Sequence, residues 1–92
     1  MKKRKVIWNE EDETKNLKEY GISFRDLEGI FDDSFSVVME DPDDERNHLI
    51  LGFSASLKKF VVGQYEEKEN GEVLLKAARK AVKNEIRWYE TE

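Results

Sequence analysis

The chain has no cysteine, one proline, one histidine and no long hydrophobic run. Without cysteine there is no disulfide, no thiolate metal site and no cysteine nucleophile. A single histidine, His48, rules out a histidine-rich metal centre. The basic start Met1-Lys2-Lys3-Arg4-Lys5 is followed only by the short apolar run Val6-Ile7-Trp8, so it reads as neither a signal peptide nor a membrane span. That and the missing cysteine lead to the expectation of a cytoplasmic protein. There is also no glycine-rich phosphate loop, no nucleotide fingerprint and no serine–histidine–aspartate set at workable spacing. Positive charge is in deficit, with 16 Lys and Arg against 21 Asp and Glu and a net charge of −5. This balance argues against unspecific nucleic-acid binding. It leaves room for a local cationic site and suits a basic partner.

What is present is grouped and periodic. The length, 92 residues, fits one domain, 1–92, with a modest core. Val6-Ile7-Trp8 reads as a first strand. Asn9 caps a helix whose first turn holds Glu10, Glu11, Asp12 and Glu13, and which stops at Gly21. Ser23-Phe24-Arg25-Asp26 reads as a capping box opening a second helix with a stripe of Phe24, Leu27, Ile30 and Phe31. Alternating runs around Phe35–Met39, Leu49–Phe53 and Lys59–Tyr65 predict strands, with a charged loop at residues 40–46 and a turn at Asn70-Gly71. Gly63 marks a bulge or a close approach. The order predicts an α+β fold: an antiparallel sheet of three to four main strands, two N-terminal helices and a C-terminal helix, the helices grouped against one face.

Residues 72–89 concentrate the positive charge. A strand over 72–77 runs into a segment with helical spacing. At about 100° per residue, Lys76, Arg79, Lys80, Lys83 and Arg87 share one face, and Ala78, Ala81, Val82, Ile86 and Tyr89 the other. A basic stripe of this kind more often faces solvent and binds nothing.

Element order and a set of short words together resemble the BrnT family, small toxins of bacterial type II toxin–antitoxin pairs with a RelE-like ribonuclease fold. The words are Ile7-Trp8-Asn9, Asn16-Leu17-Lys18-Glu19-Tyr20-Gly21, Ser23-Phe24, Phe31-Asp32-Asp33, Asp41-Pro42-Asp43, Glu45-Arg46, Gly52-Phe53-Ser54 and Ala78-Arg79-Lys80-Ala81, followed by Glu85 and Tyr89. They span nearly the whole chain. The departures fall on polar positions: Glu19-Tyr20 stands for the family's Lys-His, Asn47 and Leu74 for arginines, and Ala77 for a serine.

The resemblance implies an endoribonuclease working without metal or cofactor. It also implies a BrnA-like antitoxin partner, contact with DNA only through that antitoxin, and room for a dimer within the complex. Such cleavage needs a base for the 2′-hydroxyl, an acid for the leaving 5′-oxygen and cations for the phosphorane. Arg79, Lys76, Lys80, Lys83 and Arg46 are the candidate RNA-binding cations, Arg79 first because a guanidinium holds two phosphate oxygens at once. Candidate catalytic groups are Arg79 itself, Glu85 as a base of raised pKa, Tyr89 as a donor or stacking ring, and His48, the one side-chain type here that titrates near neutrality. Each has a plainer reading: Glu85 as an ion-pair partner, Tyr89 as a core-edge aromatic, His48 as an exposed sheet residue. Tyr20 replaces a histidine with a phenol, a poor base at neutral pH. The altered positions leave a second reading open, a weakened family member that only binds its antitoxin.

Overall fold

The computed structural model describes residues 5–90; the basic run at residues 1–4 lies outside the described residues. The elements run β1 (Lys5–Trp8), α1 (Glu10–Tyr20), a 3-10 helix (Phe24–Asp32), β2 (Val37–Glu40), β3 (His48–Ser54), β4 (Lys59–Glu67), β5 (Glu72–Lys80) and α2 (Lys83–Glu90). They build one five-stranded sheet in the order β1-β5-β4-β3-β2. β2, β3, β4 and β5 form an antiparallel meander, and β1 adds to β5 in parallel, Val6 opposite Val73 and Trp8 opposite Leu75. The expected α+β class holds. No helix among the described residues is long and apolar enough to cross a membrane.

Local signals account for most boundaries. Asn9 Oδ1 accepts the Glu11 N–H at 3.0 Å, and α1 ends at Gly21, whose φ of 70° is the left-handed conformation glycine adopts without cost. The second helix starts at Ser23 as expected, but its cap differs. Ser23 Oγ accepts from Arg25 N–H at 3.3 Å, while Glu13 of α1 accepts both the Phe24 N–H (2.9 Å) and the Ser23 hydroxyl (3.2 Å). Asp26, the acid of the expected box, instead accepts the Ser56 hydroxyl at 2.7 Å. A carboxylate from a neighbouring helix thus satisfies the free amides, which ties α1 to the 3-10 helix.

The core lies between the 3-10 helix and one face of the sheet. Phe24, Leu27, Ile30 and Phe31 meet Ile50, Val61, Tyr65, Val73, Leu75 and Ala78. Edge-to-face pairs of Trp8 on Phe24 and Phe31 on Tyr65 add directional contacts. Two glycines in the sheet admit the helix. A Cβ on Gly52 would stand 2.8 Å from Ile30 Cβ, and one on Gly63 2.9 Å from Leu27 Cδ2. Gly63 is therefore a close-approach residue; the register irregularity falls one position on, between Gln64 and Tyr65.

That irregularity corrects the expectation for residues 76–82. Tyr65 pairs with Leu75 and Gln64 with Ala77, so Lys76 is an extra residue in β5, a β-bulge. Val73 and Leu75 face the core before it, Ala78 after it. A phase step of one residue makes 75 and 78 neighbours on one face, the spacing of a helix. The segment is nevertheless strand through Lys80, and α2 begins only at Lys83. Lys76, Arg79 and Lys80 therefore belong to the sheet, and no five-residue cationic helix face forms.

The helices also cover both faces of the sheet rather than one. Leu51 and Val62 are buried on the face away from the 3-10 helix. α2 turns back over that face, where Tyr89 packs on Phe60 at 4.9 Å between ring centroids. α1 lies along the outer edge of β5 beyond the end of β1. There Asn16 Oδ1 accepts the Ala78 N–H at 2.9 Å and Asn16 Nδ2 donates to the Ile22 carbonyl at 2.9 Å. A buried amide side chain does there what a longer β1 would have done.

Gly52→Ala is expected to destabilise the protein by about 1–3 kcal/mol through overpacking against Ile30 and Ser36. Gly29→Ala, where a Cβ meets nothing within 4 Å, should be neutral or stabilising by about 0.4–1 kcal/mol. Urea unfolding of both variants checks the contrast, and equal effects would contradict the packing described.

Candidate functional site

The bulge decides which side chains share the second face. Past Lys76, Ala77 and Arg79 point away from the core, opposite Gln64 and Val62 of β4. These residues, with Leu49 of β3, floor a cleft of about 450 Å³. Tyr20 at the end of α1 and Asp41-Pro42-Asp43 from the loop after β2 form its sides.

Arg79 is held by Glu85 across the turn into α2. Nη1 donates to Oε1 at 2.9 Å and Nη2 to Oε2 at 2.8 Å, a two-bond fork. Glu85 Oε1 also accepts the Val82 N–H at 2.9 Å at the start of α2. The Arg79 guanidinium beside it holds the Glu85 carboxyl below its usual range, so Glu85 is an ionised ion-pair partner and not a base of raised pKa. Arg79 itself stays charged, its pKa raised first by Glu85. With Nη1 also donating to the Lys80 carbonyl at 3.2 Å, three of the five guanidinium donors are used. The Nε–H and one Nη2–H remain as adjacent donors on one edge. The side chain is 39% exposed and lines the cleft.

The other expected site residues divide. Tyr89 is near the pair in sequence but packs on Phe60, with its hydroxyl 3.4 Å from Asp33 Oδ2. Burial, then the Asp33 carboxylate, pushes its phenol above the usual value, so it keeps its proton. His48 lies on the opposite face, stacked on Tyr65 at 5.5 Å, its Nδ1 buried with no hydrogen-bond partner. The sheet separates it from Arg79. Lys76 is committed to Glu66 (2.8 Å) and Asn47 (2.8 Å), and Arg46 to Asp44, whose carboxyl it holds at about 2. Lys80, opposite Val61, is exposed on the other face of β5 from Arg79, and Lys83 is exposed at the start of α2; neither lines the cleft.

Among the cleft residues that were not expected site residues are Tyr20, Asp41 and Gln64. Tyr20 is half-exposed at the lip and close enough to Arg79 to act on its charge. Its signal in the sequence was its position where the resembling family has histidine. Asp41 is 7% exposed; its carboxylate accepts from Asp43 N–H (2.9 Å) and Gln64 Nε2 (2.8 Å), which hold it ionised. Nothing in a run of acids distinguishes it from its neighbours. Among the described residues no cluster of histidines and carboxylates has a metal-holding arrangement.

Comparison with solved structures matches this fold to the Brucella abortus ribonuclease toxin BrnT, with a TM-score of 0.70 and 20% sequence identity over 87% of this chain and 99% of that one. At that identity the likeness establishes a shared fold. No protein-family model matches the sequence. Comparison with curated protein sequences gives no match either.

Glu85→Gln should lower stability by roughly 1–2 kcal/mol at pH 7, a figure discounted because water screens the exposed side of Arg79. The Glu85 carboxyl is depressed, so its contribution is present above the ordinary value of 4.5 and lost as pH falls through the folded value below it. Urea unfolding at pH 7 and near pH 3 should therefore find a deficit that narrows in acid; a pH-independent deficit contradicts the pairing.

Proposed function

We propose that this chain is a BrnT-like toxin of a bacterial type II toxin–antitoxin pair, an endoribonuclease acting on RNA in the cytoplasm and neutralised by a BrnA-like antitoxin. One observation carries the reading: on a fold shared with a ribonuclease toxin, a rigidly held arginine offers two adjacent free donors to an open cleft. That edge fits two non-bridging oxygens of a phosphodiester. The 2′-hydroxyl gives its proton to solvent and attacks phosphorus, the bond to the 5′-oxygen breaks as a 2′,3′-cyclic phosphate forms, the departing oxygen takes up a proton, and Arg79 stabilises the charge that gathers on the phosphorane. Glu85 keeps the guanidinium aimed, which removes reorganisation from the reaction step. Tyr20, at the lip of the same cleft, brings a hydroxyl beside the leaving 5′-oxygen. Lys83, exposed at the start of the helix that follows, draws the flanking phosphates. No metal is needed for this scheme, and DNA is reached only through the antitoxin.

A second reading is favoured by one feature. Arg79 and the Val82 N–H occupy both Glu85 oxygens, so the base expected at this position is committed elsewhere. A chain without an effective base would bind antitoxin and take part in repression without cutting RNA.

Purified protein incubated with RNA separates the two. Cleavage that falls about 100-fold or more in Arg79→Ala supports the toxin reading. A folded preparation that never cleaves, yet binds a small antitoxin-like protein tightly, supports the second.

A further inference from the structure

We infer that the Arg79 cleft carries a nucleobase subsite selective for guanine, formed by the Asp41–Gln64 pair over an apolar floor. The inference rests on the reading of this cleft as an RNA site and deepens it to the base beside the bound phosphate. Arg79 pairs with Val62, and Gln64 with Ala77, on the same face of the sheet. The phosphate donor and the Asp41–Gln64 pair are thus one face-step apart, about 7 Å. That matches the offset between phosphate and base within one nucleotide. Between them the floor is Leu49, Val62 and Ala77, a surface suited to the face of a base. Tyr20, half-exposed at the lip, adds an aromatic ring for stacking.

The wall at the far end is built from acceptors. Asp41 is buried and charged. Gln64 Nε2 donates to Asp41 Oδ2 at 2.8 Å, which uses one of its two N–H groups, fixes the plane of the amide and leaves its oxygen able to accept from a ligand in the cleft. Asn47, which accepts from Lys76 at 2.8 Å, is close enough to the same carboxylate to favour its charged form. A carboxylate edge beside an amide oxygen asks for two neighbouring donors. Only guanine offers them, N1–H and the N2 amino group side by side on its pairing edge. Adenine and cytosine place an amino group next to an acceptor, and uracil sets one N–H between two carbonyls. Unstacked RNA bases are read on that edge.

Amide NMR titration of the protein with guanosine, inosine and adenosine 3′-monophosphates tests this. The guanine nucleotide should bind about tenfold tighter than the adenine one, with inosine, which lacks the N2 amino group, between them. Asp41→Asn and Gln64→Ala should each erase the preference; if Asp41→Asn melts early, Gln64→Ala decides. Equal affinities, no binding of any nucleotide, or a preference intact in Gln64→Ala would overturn the inference. Cleavage of guanine-free RNA at an undiminished rate would overturn it while leaving the ribonuclease reading standing. Guanine-selective binding without cleavage would uphold the subsite and remove the nuclease.

Discussion

The extra residue in β5 is the constraint on which the rest depends. In a regular strand, odd-numbered residues from Val73 onward would all face the 3-10 helix, and Arg79 would enter the core beside Leu75. Burying an unpaired guanidinium there costs several kcal/mol. Lys76 absorbs one position, Ala78 takes the core slot, and Arg79 emerges on the other face. A bulge next to a site, redirecting one side chain, is a recurrent use of this irregularity. It also bends β5 away from β1 and leaves the Ala78 N–H without a strand partner. Asn16 supplies the acceptor, so the same irregularity accounts for a buried asparagine in an otherwise solvated helix.

Electrostatics on the cleft face follow from this arrangement. The chain has five more negative than positive charges by composition, and three of its candidate site cations are each tied to a carboxylate. Lys76 is tied to Glu66, Arg46 to Asp44 and Arg79 to Glu85. Arg79 combines such a tie with two donors left over at the cleft. Affinity for RNA would then come from fit at one phosphate and one base more than from a broad positive field, in keeping with the net charge.

Element types were largely legible in the residues, because caps, turns and alternation act locally. Asn9, Gly21, Ser23 and the Asn70-Gly71 turn each fix a boundary through their own hydrogen bonds or φ angles. The segment after Leu75 was not legible, since a bulge in a strand and the first turn of a helix both give apolar residues three apart. Arg79 was found through its residue type and its family word, and its partner Glu85 through the same word, although the carboxylate proved to be lowered by the arginine and not raised by burial. Asp41 and Gln64 come together from 23 positions apart through the pairing of β2, β3 and β4 and the fold of the loop after β2, which no local pattern encodes. His48 was drawn toward the site by its chemistry, whereas the pleat sends it to the other face.

The central claim is that residues 76–80 are bulged strand with Arg79 on the cleft face. Backbone nuclear Overhauser effects in solution test it most directly. The account predicts cross-strand contacts of Ala78 with Gly63 and of Leu75 with Tyr65, and strand-type sequential contacts through Lys80. Contacts between residues three apart over 76–82, or an Arg79 side chain in contact with Leu27 and Leu75, would contradict it.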